Sequence, residues 1–407
     1  MTLQSDILKQ CYIHNIRTQG VRNIKDCNIE LGKPEDKPVH LIITGDNGVG
    51  KTTFVRELYN TLNCREGGKP LSMFLHYAKN ANLDKTRDLL KLNESYAGSL
   101  YKNIKDFCGA MHVIPDCAEH WDYYAAVADG DFLIYEFGAR RKEDFITPDG
   151  PKKIANKEHG KMFIQMLVNL KTQSAFANQR KDTEEEQKIE KWFSQLDDAL
   201  AQLLGHKDFK LEFLTKDFNF EIQEKGKEPY SFTQLSDGYS AIIAIISEIM
   251  LGMSTDPVLT YDMPGIVIID EIETHLHVEL QKKILPFLTK LFPNLQFIVT
   301  THSPFVLSSI ENAVIYDLGS HKRFEDFSNF SYSNIIEGFY NESNYSDVVI
   351  RELEEIGEIL SKEKLTDEDK KAIAAFDKKM DSLPSFQPLE LKNKWLTMKL
   401  QNIKKLI

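Results

Sequence analysis

The chain runs to 407 residues with 42% hydrophobic and 27% charged content, enough to bury a full core, so one large domain with an insertion, or two lobes, is expected. A net charge of −11 excludes a surface that grips nucleic acid everywhere, because that needs clustered Lys and Arg to displace counterions; a local basic patch stays open. Five cysteines without a C-x-x-C pair, no signal-like segment and no apolar run of membrane-spanning length point away from the membrane to a reducing compartment, the cytoplasm by default.

The first ordered stretch reads as strands. Residues 12–17 alternate, and Cys27, Ile29 and Leu31 put apolar side chains on one face, the period-two pattern of half-buried antiparallel strands. Residues 39–44 are a near-continuous apolar run, as a parallel strand covered on both faces requires. They lead straight into Gly45-Asp46-Asn47-Gly48-Val49-Gly50-Lys51-Thr52, and a helical pattern follows from Thr53 to about Leu62. The G-x-x-x-x-G-K-T spacing has a physical purpose. Glycines let successive backbone N–H groups turn toward phosphates, the helix N-terminus adds partial positive charge, Lys51 reaches the β- and γ-phosphates, and the Thr52 hydroxyl serves magnesium.

The span 63–204 reads as a mainly helical insertion. Only residues 182–204 show strong helical periodicity, with Ile189, Trp192, Phe193, Leu196, Leu200 and Leu203 on one face, so no long coiled-coil arm is expected. A strand at 132–137 precedes Arg140-Arg141-Lys142, which reads as a solvated turn ahead of a phosphate contact. Cys108, His112, Cys117 and His120 match no familiar zinc spacing and read as ordinary residues. Residues 210–221 alternate like a hairpin strand.

Gln234-Leu235-Ser236-Asp237-Gly238-Tyr239 then opens an apolar helical run from Ser240 to about Met253, with Ser236 or Asp237 as its cap. Residues 265–269 form a second buried strand that ends in Asp270-Glu271. Strand alternation is expected to send the two carboxylates different ways, Asp270 toward magnesium and Glu271 toward an attacking water. A third apolar strand, 296–301, ends at His302, whose neutral imidazole could meet a γ-phosphate or that water. All three strand ends are where α/β sheets deliver ligand groups. Residues 313–318 read as an edge strand, and the remainder is largely helical and polar. Asp367-Glu368-Asp369 has the D-x-D spacing of a magnesium-dependent nuclease, but Thr366 with Asp369 reads as a helix capping box.

Phosphate loop, Leu235-Ser236-Asp237-Gly238, Asp270-Glu271 and His302, in that order, resemble the ABC/SMC superfamily over residues 10–62 and about 205–318. Glu273-Thr274-His275-Leu276-His277 falls where that superfamily has its D-loop. With Thr301-His302-Ser303-Pro304 it resembles, more narrowly, the ATPases of bacterial anti-phage systems and OLD-type proteins. The resemblance implies an α/β fold, an ABC-type P-loop NTPase head with a mixed sheet, whose core is 1–62 and 205–318, with the insertion at 63–204 and a helical C-terminal region at 319–407.

It also implies ATP and Mg2+ as cofactors. Lys51, Glu271 and His302 are then catalytic, and Thr52 and Asp270 hold the metal. Gly45, Asn47, Gly48, Gly50, Lys51, Thr52 and Thr53 bind the nucleotide of one copy, while Ser236 and Gly238 bind that of a second, in a homodimer or higher homo-oligomer around sandwiched ATP. Arg17 and Arg22 are candidates for nucleotide contact, and no Q-loop glutamine is identified. The implied function is ATP hydrolysis that regulates a separately encoded effector, a nuclease or toxin. Two alternatives are a DNA-repair or chromosome-handling ATPase and an OLD-like metal-dependent nuclease.

Overall fold

In the computed structural model the chain is described over residues 11–21, 24–32, 37–62, 111–115, 126–127, 130–139, 163–205, 208–253, 261–325, 327–340, 347–362, 364–381 and 389–402, with backbone alone for 111–115, 347, 381 and 389–390. It divides into two compact units, Met1–Phe330 and Ser331–Ile407.

In the first unit, β1 (Ile13–Thr18) and β2 (Asn28–Glu30) are followed by β3 (His40–Thr44), the strand that feeds the glycine loop and α1 (Lys51–Leu62). β4 (Met111–Pro115) joins β1 to give a small antiparallel sheet of order β2-β1-β4, and β5 (Leu133–Phe137) goes elsewhere. Two helices follow, α2 (Phe163–Arg180) and α3 (Thr183–Leu204). Asp182 caps α3 by accepting the Glu185 N–H, and Gly205 ends it with φ 74°, a left-handed conformation that favours glycine. The periodic face read for α3 is buried, from Ile189 to Leu203. The hairpin β6 (Lys210–Leu214), β7 (Asn219–Gln223) and β8 (Tyr230–Ser231) then leads to α4 (Asp237–Met253).

The second half supplies β9 (Gly265–Ile269), α5 (Val278–Leu291), β10 (Leu295–Thr300), the single turn α6 (Pro304–Leu307), β11 (Ala313–Asp317) and β12 (Lys322–Phe324). These complete a six-stranded sheet of order β12-β11-β3-β10-β9-β5, mixed because β12 alone runs antiparallel to its neighbour. β3, β9 and β10 are buried at every residue, which is why they read as unbroken apolar runs. Two sequence expectations change here. β11 is not an edge, since β12 pairs outside it, and β5 enters the central sheet from the span assigned to the insertion.

Phe54, Val55, Leu58 and Leu62 of α1 pack into one core cluster with Leu41, Ile43, Ile266, Ile268 and Ile298 of the sheet. Fully buried side chains such as Phe54 and Leu58 contribute roughly 1.5–3 kcal/mol each, which seats the helix start beside the end of β3. Gln296 of β10, fully buried, ties the small sheet to the large one: its amide accepts the Ile13 N–H at 2.8 Å and donates to Ile13 O at 2.8 Å and Val39 O at 2.7 Å. A buried amide satisfied on both sides costs little and fixes register.

The second unit contains α7 (Asp347–Ser361), α8 (Asp367–Asp381) and α9 (Leu389–Gln401) around Leu353, Ile356, Leu360, Ile373, Phe376, Met380, Leu391 and Trp395. The capping box is present: Asp369 Oδ2 accepts from Thr366 N at 2.9 Å, and Asp369 N donates to Thr366 Oγ1 at 3.2 Å.

Candidate functional site

The loop after β3 requires its glycines. Gly45 has φ 133°, Gly48 84° and Gly50 101°, and a Cβ on Gly45 would lie 3.0 Å from Asp317 Oδ1 and 3.1 Å from Gly319 N, at the end of β11. Asn47 and Thr52 are exposed and Thr53 half-buried. Lys51, at the first position of α1, is buried, and its Nζ donates to Gly45 O at 2.8 Å and Asp46 O at 3.0 Å. Burial pushes its pKa down, while the carboxylates of Glu271, Glu273, Asp270 and Asp46 push it back up. The lysine therefore sits in the field of the acids that follow β9.

Asp270 and Glu271 are held differently from the sequence expectation. β9 ends at Ile269, and Glu271 lies on a left-handed turn with φ 47°, so a turn separates the two side chains instead of strand pleating. Asp270 is 4% exposed; its N–H donates to Phe137 O at 2.8 Å, and its Oδ1 accepts from the Thr300 hydroxyl at 2.6 Å. Glu271 donates its N–H to Thr300 Oγ1 at 2.7 Å, and its Oε2 accepts from Thr274 Oγ1 at 3.3 Å.

His302 follows β10 in the same way. Thr301 N donates to Ile43 O at 3.0 Å, extending the ladder with β3, and His302 N donates to Glu273 Oε1 at 2.6 Å. Beyond it, Ser303 Oγ donates to Gln281 Oε1 at 2.7 Å, and Gln281 Nε2 donates to Leu276 O at 2.7 Å. Lys51, His302 and the Asp270-Glu271 pair thus stand at the carboxyl ends of three neighbouring parallel strands, β3, β10 and β9.

The start of α4 presents its two candidate residues differently. Ser236 is exposed just before α4, accepting the Ser240 N–H at 2.9 Å through its carbonyl, and it lines a cleft with Glu224, Lys227, Tyr230, Gln234 and Tyr239. Gly238 is buried, and a Cβ there would lie 3.1 Å from both His275 O and Leu280 Cδ1, so it is a close-packing position between α4 and the segment after Glu271.

Thr300, Glu273 and Gln281 are the connecting residues that sequence reasoning did not single out for this role. The available signal was a polar pair, Thr300-Thr301, at the end of a strand otherwise made for burial. Arg17 is exposed and its Nε donates to Asn28 Oδ1 at 3.1 Å, while Arg22 lies outside the described residues. Arg140-Arg141-Lys142 and the side chains of Cys108, His112, Cys117 and His120 also lie outside them.

The donor set suits magnesium. Thr52 offers a hydroxyl and Asp270 a carboxylate, both hard oxygens, and among the described residues no group of three or more His, Cys, Asp or Glu forms a metal cage by itself. Magnesium typically takes one or two protein oxygens and completes its shell with water and phosphate. No helix among the described residues is long and apolar enough to cross a membrane.

Residues 138–308 match the family model described as "AAA domain, putative AbiEii toxin, Type IV TA system", a span that holds Ser236, Asp270, Glu271 and His302. The chain is 38% identical over 134 residues to the retron Ec83 probable ATPase of Escherichia coli, covering 32% of this chain and 24% of that protein. It is 27% identical over 312 residues to the Septu protein PtuA of Bacillus mycoides, covering 74% of this chain and 40% of that protein. The matched regions thus span well under half the length of these relatives. A solved Smc head bound to the C-winged helix domain of ScpA aligns with 14% identity and a TM-score of 0.39, over 75% of this chain and 94% of that one, too low a score to add to what the sheet order shows. The resemblance drawn from the motifs stands: this chain resembles the ABC/SMC-type P-loop ATPases of defence systems.

Proposed function

We propose that this chain binds ATP with magnesium at the Lys51 loop, hydrolyses it, and completes the site by pairing with a second copy. The convergence of Lys51, Asp270, Glu271 and His302 at three adjacent strand ends carries the reading. Backbone N–H groups of the loop and the N-terminus of α1 favour the polyphosphate, and the Lys51 ammonium neutralises its terminal charge. Magnesium, held by Thr52 and Asp270, would offset phosphate charge. Glu271 accepts a proton from water and orients it, and His302 donates toward the γ-phosphate or that water.

The exposed position of Ser236, in a cleft to which no loop residue contributes, supports its use on the nucleotide of another copy. Binding would then favour the closed pair and hydrolysis release it. The retron and Septu relatives favour a role in bacterial anti-phage defence, in which the ATP state of the pair regulates a separately encoded effector, a nuclease or toxin. The nuclease reading of this chain itself is disfavoured by Asp369, whose oxygens are engaged by Thr366 and Lys362 at a helix start. The test is phosphate release by the purified chain with ATP and magnesium, combined with sizing of the assembly. Turnover that depends on Lys51 and an ATP-dependent gain of mass support the proposal, and a chain that neither binds nor cleaves ATP overturns it.

A further inference from the structure

One hydroxyl joins the two acids of the site. Thr300, the last residue of β10, is fully buried, and its Oγ1 is 2.7 Å from Glu271 N and 2.6 Å from Asp270 Oδ1. A threonine hydroxyl has one proton. The Glu271 amide brings its own proton to the first contact, so the Thr300 proton points at Asp270, whose Oδ1 accepts it. That fixes the rotation of the Asp270 carboxylate.

The same oxygen anchors Glu271. A residue with a Cβ is disfavoured at φ 47°, so the turn needs external support, and Thr300 gives it twice: through Oγ1 to Glu271 N and through its carbonyl, which accepts Ile272 N–H at 3.1 Å. The neighbouring Thr301, equally buried, serves a different purpose, its Oγ1 accepting Ser303 N–H at 3.0 Å within the following turn. A strand buried on both faces is better served by valine than by threonine at position 300, since the two have the same shape and valine leaves no polar atom to satisfy. The hydroxyl is there for the acids, not for the sheet.

We propose that Thr300 is a positioning residue for ATP hydrolysis, aiming the metal-binding carboxylate of Asp270 and holding the turn that presents Glu271; the inference rests on the ATP-site reading above. Thr300→Val keeps the shape and removes the hydroxyl, Thr300→Ala does so without placing a methyl against the carboxylate, and Thr300→Ser restores it. The probe is a fluorescent ATP analogue, titrated first in chelator and then against magnesium, with turnover measured on the same samples and folding checked by thermal melting.

In chelator, Thr300→Val binds the analogue as the wild type does, because the loop and Lys51 are untouched. The magnesium concentration that half-saturates the magnesium-dependent binding change then rises at least about tenfold, kcat falls, and Thr300→Ser recovers both. Should Thr300→Val fail to fold, the same shift is read in Thr300→Ala. A smaller shift in a folded variant, or a serine variant that behaves like the valine one, overturns the role. A wild-type chain whose analogue binding ignores magnesium overturns the site reading itself and this role with it.

Discussion

The carboxylate of Glu273 accepts the main-chain N–H of His302 at 2.6 Å, tying the turn after Asp270-Glu271 to the turn after β10. A charge-assisted bond of this kind is worth about 1.5–3 kcal/mol, and removing the acceptor removes the tie between the two turns. Glu273→Ala is therefore expected to slow hydrolysis about tenfold with ATP affinity nearly unchanged. Glu273→Gln, which keeps an acceptor oxygen, has a milder effect. Steady-state turnover beside equilibrium nucleotide binding separates the two, and wild-type turnover in the alanine variant would remove the link from the mechanism.

Lys51 and Glu271 share one electrostatic field but separate in their effects. Lys51→Ala removes the buried ammonium from the phosphate cradle, and ATP affinity is expected to drop by about tenfold to a hundredfold, in line with the loss of one charge-assisted bond. Glu271→Gln should bind ATP with wild-type affinity, turn over at least about a hundredfold more slowly, and accumulate the paired state. Calorimetric binding and a single-turnover assay check both. Equal affinities in the wild type and Lys51→Ala would count against the whole site.

The strand-end groups of the candidate site were legible in the sequence because those strands are buried on both faces. Such strands announce themselves as apolar runs, and Thr44, Ile269 and Thr300 mark where the runs stop. The connections between those ends were not legible. Glu273, Gln281 and Thr300 act through hydrogen bonds to residues more than twenty positions away, or through main-chain atoms, and spacing along one chain does not encode such pairs. β5 was read as a strand, yet its place beside β9 depends on a parallel pairing more than a hundred residues long in sequence, which periodicity cannot supply. The left-handed turn at Glu271 was likewise hidden, since glutamate carries no conformational signal of the kind glycine does.

Ser236 tests completion by a second copy. Ser236→Arg adds bulk and positive charge at an exposed helix start, away from the core, so folding should be unaffected. Analogue binding by the single copy is expected to stay within about threefold of the wild type, while the ATP-dependent dimer and hydrolysis are lost; disruption of one interfacial anion contact is worth several kcal/mol in favourable cases. Light scattering with and without nucleotide decides. A variant that still dimerises and hydrolyses would place the completing group elsewhere.

Gly265 tests the join between β5 and β9. A Cβ at this position would lie 2.5 Å from Leu133 O and 2.7 Å from Leu133 Cβ, contacts that backbone must move to relieve. Gly265→Ala is expected to cost about 1–3 kcal/mol as an overpacking change and to loosen β5. Because Asp270 N–H donates to Phe137 O at the far end of β5, the loosening should reach the site and lower turnover as well as stability. Chemical denaturation with amide exchange on residues 133–137 measures it, and unchanged protection there would show that the pairing adapts without strain.

Acid should loosen the start of α8. The Asp369 carboxyl is held down at about 2 by the Lys362 ammonium and by the amide and hydroxyl of Thr366, against an ordinary value of 3.8. For a carboxylate with a depressed folded value, the stabilisation is complete above the unfolded value and disappears as pH falls through the folded one. The sensitive window is therefore about pH 5 to 2. Asp377, held low by Lys399 and Trp395, loses its partners in the same direction and adds to the trend. Protection of the Asp369 and Lys370 amides, the latter bonded to Thr366 O at 3.0 Å, is expected to fall across that window, and less steeply at high salt, because Lys362 is half exposed and salt screens its pairing with Asp369. Asp369→Asn keeps an acceptor for the cap but cannot titrate, so its protection should start lower at neutral pH and vary less with acid. Identical pH profiles for the variant and the wild type would show that another group governs the opening of this helix.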